Sequence, residues 1–94
     1  MTTTLWRLKV SPEKEAEFEG LVSQLVRDVH ANEPGQVFEY RRTQGAEREY
    51  ILFMSFYDAA ALERYSNAPW HRGVSPQIMA CLSSPPVAEQ LDSF

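Results

Sequence analysis

The chain is poor in cysteine, glycine, histidine and basic residues, and each shortage excludes something. Cys81 is the single cysteine among 94 residues, so no intrachain disulfide can form. Its apolar helical setting reads as packing rather than chemistry. The two histidines, His30 and His71, lie far apart, and with one cysteine they make no recognisable metal constellation. Gly35, Gly45 and Gly73 stand isolated, which leaves no glycine-rich phosphate loop. Nine Lys and Arg against thirteen Asp and Glu give a net charge of −4. The acidic residues are spread, and the basic stripe of a nucleic-acid-binding domain is missing. No apolar run approaches the roughly 20 residues of a membrane helix. Thr2 to Arg7 has no apolar core of the kind a signal peptide needs, so a cytoplasmic location is expected.

What the chain does have is aromatic and apolar residues, 12% and 44% of the total, enough to exclude disorder. They concentrate in Tyr50-Ile51-Leu52-Phe53-Met54-Ser55-Phe56-Tyr57. This run is too short for an ordinary helix and reads as a strand. One face carries Tyr50, Leu52, Met54 and Phe56, the other Ile51, Phe53, Ser55 and Tyr57. Both faces want cover, and one small domain of residues 1–94 has helices for one face only. A second copy is the simplest cover for the other.

The remaining elements follow from periodicity. Thr3 to Val10 alternates, with Thr4, Trp6, Leu8 and Val10 on one face. Alternation leaves open whether Trp6 points to the helices or to a dimer partner. Ser11-Pro12-Glu13 opens a helix, with Ser11 as cap and Pro12 at the first helical position. Phe18, Leu21, Val22, Leu25, Val26 and Val29 form its apolar stripe from Pro12 to Ala31, and Asn32-Glu33-Pro34-Gly35 stops it. His30 near its end matches the helix dipole. Gln36 to Arg42 is a second strand, joined through Thr43–Glu47 to the Tyr50 strand as a hairpin. Asp58 caps a helix over Ala59–Tyr65, and Asn67-Ala68-Pro69 interrupts it. Another helical stretch runs from Trp70 to Leu82, with a kink or a restart expected at Ser75-Pro76. Ser83–Pro86 is a linker, and Val87–Phe94 a last strand.

The order β-α-β-β-α-β predicts an α+β, ferredoxin-like subunit: a four-stranded antiparallel sheet with helices on one face. Two bare sheet faces packed together would make a dimeric α+β barrel.

Several stretches then become familiar: Ser11-Pro12-Glu13-Lys14-Glu15 after the first strand, Asn32-Glu33-Pro34-Gly35 after the long helix, the aromatic hairpin, and Ala60 through His71. Together they resemble the antibiotic biosynthesis monooxygenase family of small dimeric α+β barrels, over nearly the whole chain. The resemblance implies a cofactor-independent monooxygenase, without metal, flavin or haem, acting on a small aromatic quinol, anthrone or polyketide that itself supplies electrons to dioxygen. It equally admits a non-catalytic small-molecule-binding or stress-response dimer. Haem degradation, the activity of other members, is disfavoured. Their axial histidine would fall at Val74 or Ser75 here, and neither can be that ligand. The chain also departs from the family at Tyr65, where histidine is frequent, and at Trp70-His71, where His-Phe is frequent.

In this reading His71 is the candidate base, since a pKa near neutrality suits removal of a phenolic or activated C–H proton. Asn67 is a candidate donor to a substrate oxygen, with helix capping as its other reading. Tyr65 and Trp70 offer aromatic walls, Tyr65 also a hydroxyl, and both also suit the core. Arg72 would hold an anionic group if it is not simply solvated, and Trp6 is a further wall if it faces the helices.

Overall fold

Alternating and helical patterns sort the chain into the expected order. A computed structural model describes residues 1–94. Strand β1 (Thr2–Lys9) leads through a 3-10 turn (Pro12–Lys14) into α1 (Glu15–Asn32). Strands β2 (Val37–Arg42) and β3 (Glu49–Phe56) form the hairpin, followed by α2 (Ala59–Asn67), α3 (Pro69–Ala80) and β4 (Val87–Leu91). The sheet order is β2-β3-β1-β4, with every neighbouring pair antiparallel. This is a ferredoxin-like α+β arrangement. No helix is long and apolar enough to cross a membrane.

The core lies between the sheet and the helices. Phe18, Val22, Leu25 and Val29 on α1 are buried. They meet Leu8, Phe38, Tyr50, Leu52, Met54 and Phe56 from the sheet in one cluster, which Ala61, Tyr65, Ile78 and Cys81 close from the second helical layer. Trp6 pairs with Leu52 across β1 and β3, which puts it on this helix-facing side and decides the question that alternation left open. Cys81 is fully buried, with its thiol 3.4 Å from a Glu17 carboxylate oxygen and pushed up in pKa by burial.

Three local expectations are corrected. Ser11 makes no side-chain cap. Its N–H donates to Cys81 O at 2.8 Å and its carbonyl accepts from Lys14 N at 3.0 Å, so the chain starts with a tight turn before α1. Helix α3 neither stops nor restarts at Ser75. It begins at Pro69 and runs through Pro76. The bond Pro76 cannot donate would go to the carbonyl of Arg72, and both residues are exposed, so water can satisfy that oxygen. The last strand ends at Leu91 rather than Phe94.

Two polar clamps hold helices to the rest. Arg64 on α2 grips Glu33 with two bonds, at 3.1 and 2.9 Å, and holds that carboxylate below its usual pKa. The buried Tyr50 hydroxyl donates to the carboxylates of Glu15 and Glu19 at the start of α1, and Arg42 bonds Glu19 twice at 2.9 Å. Asp58 caps α2, accepting from Ala61 N at 2.9 Å.

The opposite face of the sheet has no helix over it. Its central row, Glu39–Phe53–Leu5–Glu89, lies between the rows Val37–Ser55–Thr3–Leu91 and Arg41–Ile51–Arg7–Val87. Val37, Leu91 and Val87 are exposed at 38%, 37% and 57%, so apolar side chains stand open on this face among its charged ones. Arg41–Glu39 at 3.4 Å and Arg7–Glu89 at 3.3 Å place both charge signs around its rim.

Candidate functional site

Sheet register builds the floor of the principal candidate site. Tyr40, Leu52 and Trp6 form one cross-strand row on the helix side. With Leu8 and Met54 they floor a cavity of about 360 Å³. Leu25 of α1 lines one side, and Tyr65 and Ser66 of α2 line another. His71, Ser75, Ile78 and Met79 complete it from α3, spaced as successive turns of one helix face, and Pro86 lies at its margin. The end of α3 is tied to β1 by Ser11 N to Cys81 O at 2.8 Å and Ser83 N to Lys9 O at 2.9 Å. The result is an apolar chamber with a few polar groups, the usual character of a small-molecule site.

A wider groove, about 410 Å³, runs along α1 and the edge of β2. Ser23, Arg27, His30, Glu39 and Arg41 on it are exposed, and Glu39 is ion-paired to Arg41. It lacks a desolvated reactive group, so the inner cavity is the better candidate. No set of three or more His, Cys, Asp or Glu side chains is placed to hold a metal ion.

His71 is the one imidazole that lines the inner cavity. Its Nδ1 lies 3.3 Å from the carbonyl of Ser66. A carbonyl only accepts, so Nδ1 carries the hydrogen and Nε2 is left with the lone pair. The ring stands 4.2 Å from the Tyr65 ring, centre to centre and tilted by 42°. Burial lowers the imidazole pKa below the ordinary 6.5, against a smaller upward pull from the Ser66 carbonyl. Burial therefore favours the neutral imidazole.

The other residues expected from sequence divide. Trp6 and Tyr65 line the cavity with His71. Tyr65 is 6% exposed, packed against Phe38 at 5.4 Å, Phe56 at 5.2 Å and Trp70 at 6.0 Å. Trp70 backs Tyr65 from outside the lining. Asn67 is exposed at the last position of α2 and donates to Glu63 O at 3.0 Å. Arg72 is exposed and also lies outside the lining. Sequence reasoning missed Tyr40, Ser66 and Ser75. For Ser75 a signal existed, since it sits one turn after His71. Tyr40 needed the register, which no local pattern contains.

Fold and cavity together define a small α+β domain with an apolar pocket between its sheet and its helices. A family profile described as antibiotic biosynthesis monooxygenase matches residues 1–75, and the chain belongs to that family. Among solved structures, a Caulobacter crescentus protein provisionally named an antibiotic biosynthesis monooxygenase is similar at 29% identity, with a TM-score of 0.92 over 99% of this chain and 89% of that one. A conserved protein of Methanosarcina mazei shares the fold at 16% identity and TM-score 0.90, covering 99% of this chain and 92% of its own. A Nitrosomonas europaea protein with the same provisional name as the first shares it at 12% identity and TM-score 0.89, covering 100% and 99%. Among curated proteins none matches the chain.

Proposed function

We propose that the whole chain is a single cofactor-independent monooxygenase domain for a small, flat aromatic quinol, anthrone or polyketide-like molecule, working in the cytoplasm as a homodimer. The observation that carries the reading is the partly buried His71, its pKa lowered by burial and its Nδ1 beside the Ser66 carbonyl, lining a chamber walled by aromatic and aliphatic side chains. Nε2 takes a proton from an activated C–H or phenolic O–H. The resulting electron-rich anion reduces dioxygen. For an anthrone-type methylene the balance closes with one oxygen atom forming the new carbonyl and the other leaving as water. The substrate supplies all four electrons. Apolar walls hold the aromatic plane against Trp6 and Tyr65.

Asn67 and Arg72 lie outside the chamber, so in this reading substrate orientation falls to Tyr65, with Trp70 holding the Tyr65 ring in place. A purely binding role would need apolar walls alone. The presence of His71 and several hydroxyls on the same lining favours chemistry. The dimer is argued from the open sheet face. Its apolar centre is ringed by Arg7, Glu39, Arg41 and Glu89, which a two-fold axis makes self-complementary. The test is oxygen uptake by metal-stripped protein with a panel of quinols and anthrones. Protein-dependent uptake with an oxygenated product, lost in His71→Ala, is expected. Uptake unchanged in His71→Ala would remove the base assignment.

A further inference from the structure

The inner chamber reaches the surface where α3 ends. A second hollow of about 300 Å³ lies outside it, walled by Leu82 and the Ser83–Pro86 linker. Met79 and Pro86 line both hollows, and no other residue does. These two side chains therefore stand between the chamber and the outside. Met79 is 49% exposed, and it is the one large apolar side chain of the chamber lining that stands open to solvent. Sheet pairing leaves a gap on the same side. Trp6 on the chamber floor pairs with Ala88 of β4, a strand whose residues are all exposed, so the helices leave that edge of the floor uncovered.

The two sides of the opening differ in stiffness. Pro86 follows Pro85, and each ring fixes its own backbone torsion. The neighbouring backbone is tied to β1 by Ser11 N to Cys81 O at 2.8 Å, by Ser83 N to Lys9 O at 2.9 Å and by the Val10–Leu82 bridge. Met79 is unbranched and turns about three side-chain bonds, so it rearranges at little cost. The movable part of the opening is one side chain. The helix also sets its distance from the imidazole. Met79 lies eight residues beyond His71 on α3, about 12 Å along the axis at 1.5 Å per residue. The chamber thus has His71 towards one end and its opening at the other.

We propose that Met79 is the gate of the chamber and a specificity-determining residue. Ligands enter end-on from the linker side, and the gap that Met79 leaves beside Pro86 limits their cross-section. Narrow molecules pass along α3 to His71, and broad or branched ones of the same polarity are turned back. The gate serves the chamber of the proposed oxygenase and rests on that reading for its ligand, though not for its position.

The test is passage into the chamber, which needs neither turnover nor a known ligand. The chain has two tryptophans, so Trp70→Phe leaves Trp6 on the chamber floor as the only one. In that background, acrylamide and the bulkier succinimide are used to quench Trp6, and the fluorescence lifetime gives the rate constant for each. Met79→Ala should raise both constants, by about two- to fivefold and more for succinimide, because entry no longer waits on a side-chain rearrangement. Alanine favours helix and the position is half-exposed, so the fold is retained. Met79→Phe, with a stiffer side chain, should lower both constants. Ser66→Phe, at the other exposed point of the lining, should leave them unchanged. Quenching indifferent to Met79 would overturn the gate, and so would Ser66→Phe shielding Trp6 while the Met79 variants do not. Equal gains for the two quenchers would overturn the size selection. Absent oxygen uptake beside Met79-dependent quenching would count against the oxygenase reading alone.

Discussion

In the dimer proposed above, Phe53→Asp should weaken association to the point of a monomer without unfolding the subunit. Phe53 sits in the central row of the open sheet face, directly opposite Leu5 on β1. It is already partly buried by its sheet neighbours, so a partner has only part of its surface left to cover. That remainder contributes about 1 kcal/mol per copy, taken as under half of the value for complete burial of a phenylalanine. An aspartate there must also be desolvated or protonated in the interface, at a cost of roughly 1–2 kcal/mol more. Two-fold symmetry doubles both effects, to about 4–6 kcal/mol, or a dissociation constant weakened about 10³- to 10⁴-fold. Sedimentation equilibrium across a concentration series reads this directly. Circular dichroism checks the fold, which rests on the opposite, helix-covered face. An aspartate variant that dimerises as tightly as the wild type would refute the argument, and so would a wild type that is monomeric at tens of micromolar.

Three further outcomes are expected. Tyr50→Phe removes the hydroxyl between Glu15 and Glu19 and should destabilise by about 1–2 kcal/mol at pH 7, or roughly 5–10 °C in Tm by calorimetry. Glu19 is held below its usual pKa, first by Tyr50 and then by Arg42, so its contribution is present above the ordinary carboxylate value and lost as pH falls through the lowered one. The gap between the two proteins should therefore narrow in acid, and a constant gap would contradict the assignment. Asp58→Ala deletes the cap on Ala61 N and should cost about 1 kcal/mol in a urea titration, with Asp58→Ser recovering most of it and an unchanged midpoint counting against the cap. The acid limb of kcat/KM should lie below the ordinary histidine value of 6.5, because burial favours neutral His71, and a midpoint at or above that value would exclude His71 as the titrating base.

Much of the fold could be read from local pattern because local pattern dictates it. The alternation in Tyr50–Tyr57 marked a strand whose Tyr50, Leu52, Met54 and Phe56 are all buried beneath helices. The Asn32–Gly35 stop and the Asp58 cap fell where the helices end and begin. The site was less legible, for two physical reasons. The break at Ala68 resets the rotational phase between α2 and α3, so nearness to His71 in sequence does not put Asn67 on its face, while Arg72, the next residue of α3, points about 100° round the helix from it. The chamber floor depends on register, a long-range property that set Tyr40 beside Leu52 and Trp6. The restart at Ser75-Pro76 did not occur because a proline's cost to a helix depends on whether the freed carbonyl reaches water, and composition alone cannot say which side of α3 that is.

The most direct measurement is oxygen consumption by metal-stripped protein with an anthrone substrate, wild type beside His71→Ala, with the product identified by mass spectrometry. The account predicts uptake of one dioxygen per quinone formed, one oxygen atom incorporated from labelled dioxygen, and a loss of at least about 100-fold in the variant. No protein-dependent uptake from any quinol or anthrone, or equal rates in wild type and variant, would contradict it.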